Sequence, residues 1–482
     1  FLFLLLLSFL LIMVLNFIFL YISLSVLIGL YFSRKTKTAD DFIRAGRNLP
    51  FLIVFAMVFA TWFGAETVLG ISATFLEEGL IGLASDPFGA AACLIVFGLF
   101  FAKKLYRMNL LTLGDYFRNK YNRHIELTIS ALIIISYLGW IAAQITALGL
   151  VFSLLSNDSI SNTNGILLGA FIVLCYTIVG GMWSIAVTTF LQMIVIIVGL
   201  VLATAETTSL AGGIGAVITK ADLDGKLLFL PAIDSLDFLF WIAAFLTMAL
   251  GSIPQQDVFQ RANAAQNASI ASVATTFGGI FYLIFASVPL LLAYTSFIID
   301  PLETSKLMEI DSQLVLPSLI LNHTSSWLQI IFFGSLVSVI LSTASGTLLA
   351  PSVLFTQNIV SYFSKKLEPH QLIMATLITI FVFITIVCMY SISSNNTIHT
   401  MVENAYRVTL AGAFTPLVAG LFWKRANSSG AGLAIVLGVS SWLTLELLEL
   451  NLPIEPQLIG LLLSIVGMIL GSVFLAKSSV RE

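Results

Sequence analysis

Thirteen long apolar segments separated by short polar connections dominate this sequence. A helix needs about 20 predominantly apolar residues to cross a bilayer, and inside lipid every backbone polar group must be satisfied within the protein. Only 10% of the 482 residues are charged and 59% are hydrophobic. We therefore predict an all-α polytopic membrane protein. Its predicted spans, called spans 1 to 13 below, cover residues 4–32, 51–72, 87–102, 127–153, 165–181, 185–205, 237–254, 270–298, 327–349, 372–392, 398–423, 430–449 and 457–476.

The positively charged residues alternate between successive connections. If the N-terminus is outside, cytoplasmic connections hold 18 of the 22 Lys and Arg residues, outer connections hold three, and Arg407 lies within a span. Connections rich in Lys and Arg stay on the cytoplasmic side, so we expect an outside N-terminus and a cytoplasmic C-terminus in a plasma (inner) membrane. The cytoplasmic set is Arg34, Lys35, Lys37, Arg44, Arg47, Lys103, Lys104, Arg107, Arg118, Lys120, Arg123, Arg261, Lys365, Lys366, Lys424, Arg425, Lys477 and Arg481.

Two spans contain residues that disfavour a continuous apolar helix. Span 2 includes FATWFGAETVLG (59–70), and span 7 runs into GSIPQQDVFQ (251–260). Proline breaks the helical hydrogen-bond ladder, and a charge at the centre of a membrane helix costs about 2.5–3.5 kcal/mol. Either interruption alone is more often a kink, but matched interruptions five spans apart indicate the binding site of a transporter.

The polar residues of these segments are the candidate solute ligands. A second polar feature, Glu403 and Arg407 in span 11, has the spacing of a structural ion pair on one helix face. The candidate ligands are Thr61, Trp62, Gly64 and Glu66 in span 2, Gln144 in span 4, and Gln255, Gln256 and Asp257 after span 7.

Span 9 carries a run of hydroxyl side chains in VSVILSTASGTLLAPS (337–352). Small residues at this spacing usually allow close helix packing, but hard cations prefer oxygen ligands. Three oxygens are available from the hydroxyls of Ser342 and Thr343 and the carbonyl of Val339. The carbonyls of Ala60 and Phe63, in the interrupted part of span 2, would complete a five-oxygen sodium site.

Several motifs together resemble the sodium:solute symporter family, which includes sodium/proline, sodium/glucose and choline transporters. The motifs are DDFIRAGRNLP (40–50), YTIVGGMWS (176–184), ILSTASGTLL (340–349) and GAFTPLVAGLFWKR (412–425). The resemblance implies the five-plus-five inverted-repeat fold of the leucine transporter, with broken helices, in a single transporter domain. It implies an extra N-terminal helix (1–33), repeats at 51–205 and 237–423, and two C-terminal helices (430–476).

The resemblance also bears on the ligands. It implies the same sodium site, and the choline branch implies that Trp62 and Trp140 form a cation–π cage for a quaternary ammonium. Two positions depart from the family pattern. Thr189 stands where many members have an aspartate linked to a second sodium, so we expect one main sodium site. Gln255 replaces a tryptophan of the choline branch, and its polar neighbourhood suits a zwitterion such as proline about as well.

We therefore expect a sodium-coupled symporter that imports a small organic solute by alternating access. Sodium is the expected coupling ion, and we expect neither an organic cofactor nor a nucleic-acid partner; the oligomeric state is left open. The main alternative is a transporter-like sensor that binds a solute without coupled transport, although the chain ends at Glu482 without a signalling domain. A channel is a weaker alternative. An enzyme is not expected, because no nucleophile and base are paired in a recognisable motif.

Overall fold

The computed structural model describes residues 2–178, 180–363, 368–448 and 452–475. Within these ranges the chain is helical, and the only β pairing is an isolated bridge between Leu49 and Ala265. In the part of the chain that the structure describes, ten helices are long and apolar enough to cross a membrane, and the bent pair that forms span 7 makes eleven. Two shorter apolar helices belong to spans 2 and 5. Together these helices account for all thirteen predicted spans.

The spans have the following helical bounds. They are Leu2–Ser33 (span 1); Phe51–Trp62, Glu66–Gly70 and Ile71–Glu78 (span 2); Ala84–Gly89, Ala90–Val96, Phe97–Phe101 and Ala102–Arg107 (span 3); Arg123–Leu155 (span 4); Asn162–Ile178 (span 5); Gly181–Leu210 (span 6); Leu236–Gly251 and Gln256–Asn263 (span 7); Ala268–Phe285, Ser287–Tyr294 and Ser296–Ile299 (span 8); Ser326–Leu354, Phe355–Val360 and Ser361–Phe363 (span 9); Pro369–Ser393 (span 10); Ile398–Thr409, Leu410–Phe414 and Thr415–Phe422 (span 11); Ser428–Leu447 (span 12); and Pro456–Val473 (span 13).

Both predicted helix breaks are present. The first helix of span 2 ends at Trp62, because Phe63 leaves the helical region with φ −84° and ψ 76°. The chain becomes helical again in a π-helical turn, Glu66–Gly70. Span 7 bends by 44° between Gly251 and Gln256. Irregular backbone at this depth persists only where it is buried in protein or lines a cavity.

Span 9 forms the centre of the bundle. It packs against spans 2, 4, 5, 6 and 10, and span 1 lies across spans 6 and 9. Spans 12 and 13 pack mainly against each other and contact span 11. This arrangement places the broken parts of spans 2 and 7 between spans 4, 9 and 11.

The long connections carry short helices. The connection after span 6 contains Ile214–Leu223, and the one after span 8 contains Pro301–Ile310 and Val315–His323. Between spans 3 and 4, the helix Leu113–Lys120 begins with a capping box. A capping box satisfies two backbone N–H groups that would otherwise lack partners, so this helix has a fixed start.

Two predictions about charged residues were wrong. Arg261, assigned to a connection, lies in the second helix of span 7 and is 1% exposed. Arg407 pairs with Glu446 of span 12 at 2.9 Å, whereas Glu403 lies 3.9 Å from His399. Glu446 lies on a neighbouring span, where spacing along one helix could not reveal it. The predicted cytoplasmic residues Lys365, Lys366, Lys477 and Arg481 lie outside the described residues.

Candidate functional site

Four aromatic side chains meet where span 2 is broken. The rings of Trp62 and Trp140 lie 5.6 Å apart at 72°, and Tyr406 of span 11 contacts both, at 6.4 and 5.8 Å. Tyr137, one turn before Trp140, stacks on it at 6.1 Å. All four rings are buried. Aromatic faces carry a negative quadrupole that attracts cations, so this cluster can surround a positively charged group.

Glu66 adjoins this aromatic cluster and is held by neutral donors. Trp140 Nε1 donates to Glu66 Oε1 at 2.8 Å, and Gln144 Nε2 donates to Oε2 at 2.7 Å. The other end of the Gln144 amide accepts from the backbone N–H of Ala65 at 3.0 Å. The carboxylate is therefore fixed in position by span 4 and by its own chain.

Gly64 provides the space for that carboxylate. A Cβ at residue 64 would lie 2.3 Å from Glu66 Oε2 and 2.6 Å from Oε1. Its φ lies outside the positive range that favours glycine, so backbone freedom does not explain the residue. Any side chain at residue 64 would displace the carboxylate of Glu66 from its contacts with Trp140 and Gln144.

Asp257 is the second buried carboxylate, and span 7 contributes it just after the bend. Trp62 Nε1 donates to its Oδ2 at 3.0 Å, and the Tyr137 hydroxyl contacts its Oδ1 at 2.5 Å. Arg261 Nη1 lies 3.7 Å from Oδ2. Asp257 thus joins spans 2, 4 and 7 and has a cationic partner.

A third acid, Asp86, lies close to Glu66. It accepts from the hydroxyl of Tyr282, and the hydroxyl of Thr67 lies 3.4 Å from its Oδ2. Asp86 and Glu66 are 2% and 3% exposed. Neither forms an ion pair with a lysine or arginine in the described ranges. The site therefore holds more carboxylates than fixed cations.

The remaining predicted solute ligands occupy different surroundings. Gln255 Nε2 donates to Ser136 Oγ at 2.8 Å, and its buried Oε1 has no hydrogen-bond partner in the described part of the chain. Gln256 instead accepts from the backbone N–H of Leu113 at 2.8 Å, away from the aromatic cluster. Thr61 accepts from Arg261 Nε at 2.9 Å. Gln255 therefore offers a buried acceptor that has no partner within the described residues.

The predicted sodium ligands meet between spans 2 and 9. Ser342 Oγ lies 2.7 Å from the Ala60 carbonyl and 2.9 Å from the Val339 carbonyl, and Thr343 Oγ1 lies 3.4 Å from the Ala60 carbonyl. Phe63, whose carbonyl is the fifth predicted ligand, is the residue at which span 2 leaves the helix. Two hydroxyls and two carbonyls already converge here, and an all-oxygen donor set suits a hard cation.

Thr189, at the position of departure from the family pattern, is fully buried in span 6. Its hydroxyl has no hydrogen-bond partner within the described ranges, and the same is true of both amide atoms of Gln192 one turn later. A neutral hydroxyl at this position supplies no charge for an ion. The expectation of one main sodium site therefore stays a prediction.

Sequence reasoning missed four residues of this region. Tyr137 lies three residues before Trp140, and Arg261 lies four residues after Asp257, so helical spacing could have found both. Asp86 was missed because it immediately precedes the apolar run of span 3, and Tyr406 gave no distinguishing signal beside Arg407.

Comparison with known proteins agrees with the geometry. Residues 42–438 match the sodium:solute symporter family. The chain is 24% identical to the human high affinity choline transporter 1 over 431 residues, covering 86% of this chain and 74% of the relative. It is also 24% identical to the osmoregulated proline transporter of Bacillus subtilis; the match covers 96% of this chain and 95% of that relative.

A solved structure gives the same fold. A Na+-coupled sialic acid symporter in a substrate-bound outward-open state matches with a TM-score of 0.83 and 20% identity, covering 96% of this chain and 97% of that protein. The all-helical bundle with two broken spans is thus the inverted-repeat, leucine-transporter-type fold. The chain belongs to the sodium:solute symporter family and is a sodium-coupled solute symporter.

Proposed function

We propose that the imported solute carries an ammonium group and that a choline-like cation fits the site best. The observation that carries this proposal is Glu66, a carboxylate that is 3% exposed and held by neutral donors beside the Trp62–Trp140 pair. A buried charge is strongly unfavourable unless it is paired. A solute cation at the aromatic faces would supply the missing charge. The likeness to choline transporters supports the same choice.

A zwitterion such as proline is the second candidate. The free Oε1 of Gln255 can accept a hydrogen bond from a protonated amine, which a quaternary ammonium cannot donate. A relative that covers nearly the whole chain is a proline transporter. The two candidates differ in what holds them: aromatic faces and charge for the first, directed hydrogen bonds for the second.

Sodium is the proposed coupling ion, bound by Ala60, Phe63, Val339, Ser342 and Thr343. The converging oxygens of spans 2 and 9 support this assignment. Because Trp62 lies between Ala60 and Phe63, binding of sodium would also fix the aromatic cluster. Linkage then requires that the solute raise sodium affinity by the same factor. We also propose that residues 51–205 and 237–423 form the two inverted repeats.

Substitutions at Trp62 and Gln255 separate the two solutes. A cation–π contact contributes about 0.5–2 kcal/mol, so affinity for a quaternary ammonium is expected to fall in the order Trp62, Trp62→Phe, Trp62→Leu, with the largest loss at Leu. A zwitterion held by hydrogen bonds is expected to be less sensitive to that series and more sensitive to Gln255→Ala. Counterflow uptake of labelled choline and proline in proteoliposomes, with and without sodium, measures both.

Each variant is tested with both solutes, so its effect on one solute is the control for its effect on the other. Trp62→Phe keeps an aromatic face but loses the indole N–H that reaches Asp257, whereas Leu loses both. If Trp62→Leu and Gln255→Ala are tolerated equally and sodium affinity is unchanged, the solute cavity has been placed in the wrong part of the protein.

We propose that the N-terminus is outside and the C-terminus cytoplasmic, on the basis of the charge asymmetry between connections. Asp222 is an exposed residue of the connection after span 6, and Lys103 is an exposed residue in the last helix of span 3; this topology places them on opposite sides. In intact cells, a membrane-impermeant maleimide is expected to label Asp222→Cys, and to label Lys103→Cys only after permeabilisation. Native Cys93 and Cys388 are buried, and the partly exposed Cys175 is replaced by serine in all labelled variants to keep the background low. The reverse labelling pattern would invert the topology.

A further inference from the structure

Arg261 is one of the largest fully buried side chains of the protein and touches three spans. Its Nε donates to Thr61 Oγ1 of span 2 at 2.9 Å. Its Nη1 lies 3.7 Å from Asp257 Oδ2 but makes no hydrogen bond within the described residues. Its Nη2 occupies the space beside Gly346 of span 9, where an added Cβ would lie 1.9 Å away.

These contacts lie between the two proposed binding sites. Thr61 directly follows Ala60, whose carbonyl meets the hydroxyls of Ser342 and Thr343. Gly346 follows Thr343 by one turn of span 9. The guanidinium therefore borders the residues that would bind sodium, while its ion-pair partner Asp257 also receives the indole N–H of Trp62.

The last turn of the first helix in span 2 is consequently held on three successive residues. Ala60 is contacted by span 9, Thr61 by Arg261, and Trp62 by Asp257. Arg261 and Trp62 contact the same oxygen of Asp257. A movement of Asp257 therefore shifts Thr61 by two routes. One is the guanidinium of Arg261, and the other is Trp62, the next residue of the backbone.

We propose that Arg261 is a positioning residue that couples solute binding to sodium binding. Its guanidinium holds Thr61, and therefore the adjacent Ala60 carbonyl, in a position that depends on the position of Asp257. This inference rests on the proposed function. When a solute cation orders Trp62 and Asp257, the guanidinium is fixed with them, and the Ala60 carbonyl then needs less ordering to bind sodium. Coupling of this kind is a free energy shared by both ligands.

Two substitutions weaken the link without changing any charge. Thr61→Val removes the oxygen that accepts from Arg261 and keeps the shape of the side chain. Gly346→Ala places a methyl group where Nη2 now lies and displaces the guanidinium. Gly334→Ala is the matched control, because it lies in the same helix of span 9 and its added Cβ meets nothing within 4 Å.

The experiment measures binding to the full chain in lipid nanodiscs. The dissociation constants of tritiated choline, with tritiated proline as a second probe, are compared in potassium chloride and in saturating sodium chloride. In the wild type, sodium is expected to raise solute affinity by about tenfold, a typical coupling. In Thr61→Val and Gly346→Ala the ratio should fall to within about twofold of one, while Gly334→Ala keeps the wild-type ratio.

The ratio separates coupling from a purely structural role. If the two variants weaken both ligands but keep the wild-type ratio, Arg261 only supports the fold and the inference is wrong. If the wild type binds both probes without any effect of sodium, the proposed function fails and the inference falls with it. Thermal unfolding shows whether Gly346→Ala is folded. If it is not, the affinity ratio of Thr61→Val alone tests the inference, because that substitution adds no volume.

Discussion

Replacing Glu66 by glutamine is expected to lower the affinity for a solute cation by about 30-fold or more. Removing one member of a buried, hydrogen-bonded charge pair costs about 2–5 kcal/mol, and each 1.4 kcal/mol corresponds to about a factor of ten. The glutamine also turns an amide N–H2 group toward either Trp140 Nε1 or Gln144 Nε2, both of which donate to Glu66. This mismatch of donors is expected to lower stability as well, so stability has to be measured beside affinity.

The measurement is binding of labelled choline to the purified transporter, with thermal unfolding recorded in parallel. Glu77→Gln serves as the matched control, since it changes the same charge at an exposed position of span 2 and should leave affinity unchanged. A wild-type affinity for choline in Glu66→Gln would show that Glu66 is not the counter-charge of the solute. A loss for proline of equal size would favour a zwitterion bound through its amine.

Removing both hydroxyls of the proposed sodium site should have a comparably large effect on the ion. Hydrogen bonds and ligand contacts to charged groups contribute about 1.5–3 kcal/mol each, so Ser342→Ala with Thr343→Val should raise the sodium concentration for half-maximal uptake by at least about 100-fold. Ser342→Ala also removes the 2.7 Å contact with the Ala60 carbonyl. In the wild type, uptake against sodium concentration is expected to show a Hill coefficient near one.

Ser352→Ala is the control for that double variant. Ser352 is buried in the same helix, but its hydroxyl bonds the carbonyl of Leu348 in its own helix, so its loss should leave sodium dependence intact. An unchanged half-maximal sodium concentration in the double variant would remove span 9 from the sodium site. A wild-type Hill coefficient clearly near two would contradict a single main site.

The sequence was informative wherever a residue conflicted with its apolar surroundings. Spans were predictable because lipid imposes length and hydropathy. The breaks followed from Pro254 and the embedded carboxylates, and the hydroxyl pair of span 9 pointed to its contact with span 2. The reason for Gly64 was not predictable, because the clash with Glu66 depends on where Gln144 and Trp140 hold that carboxylate.

Partners from distant parts of the chain were the other limit. Arg407 was predicted to pair with Glu403 at helical spacing, but it forms its ion pair with Glu446, which lies on a different span. Arg261 resembled a cytoplasmic charge because it follows span 7, yet the bend carries it inward to Thr61 and Asp257. Such contacts depend on how helices pack, which a pattern along one helix does not contain.

The two indole N–H groups of the aromatic cluster both donate to carboxylates, Trp62 to Asp257 and Trp140 to Glu66. A hydrogen bond to an anion polarises its donor, and low local dielectric strengthens the effect. Each carboxylate therefore acts on its ring as an electron-donating substituent would, and makes the π face more negative. The acids thus tune the aromatic surface from its edge, so that an acidic residue which never touches the solute can still decide how firmly a cation is held.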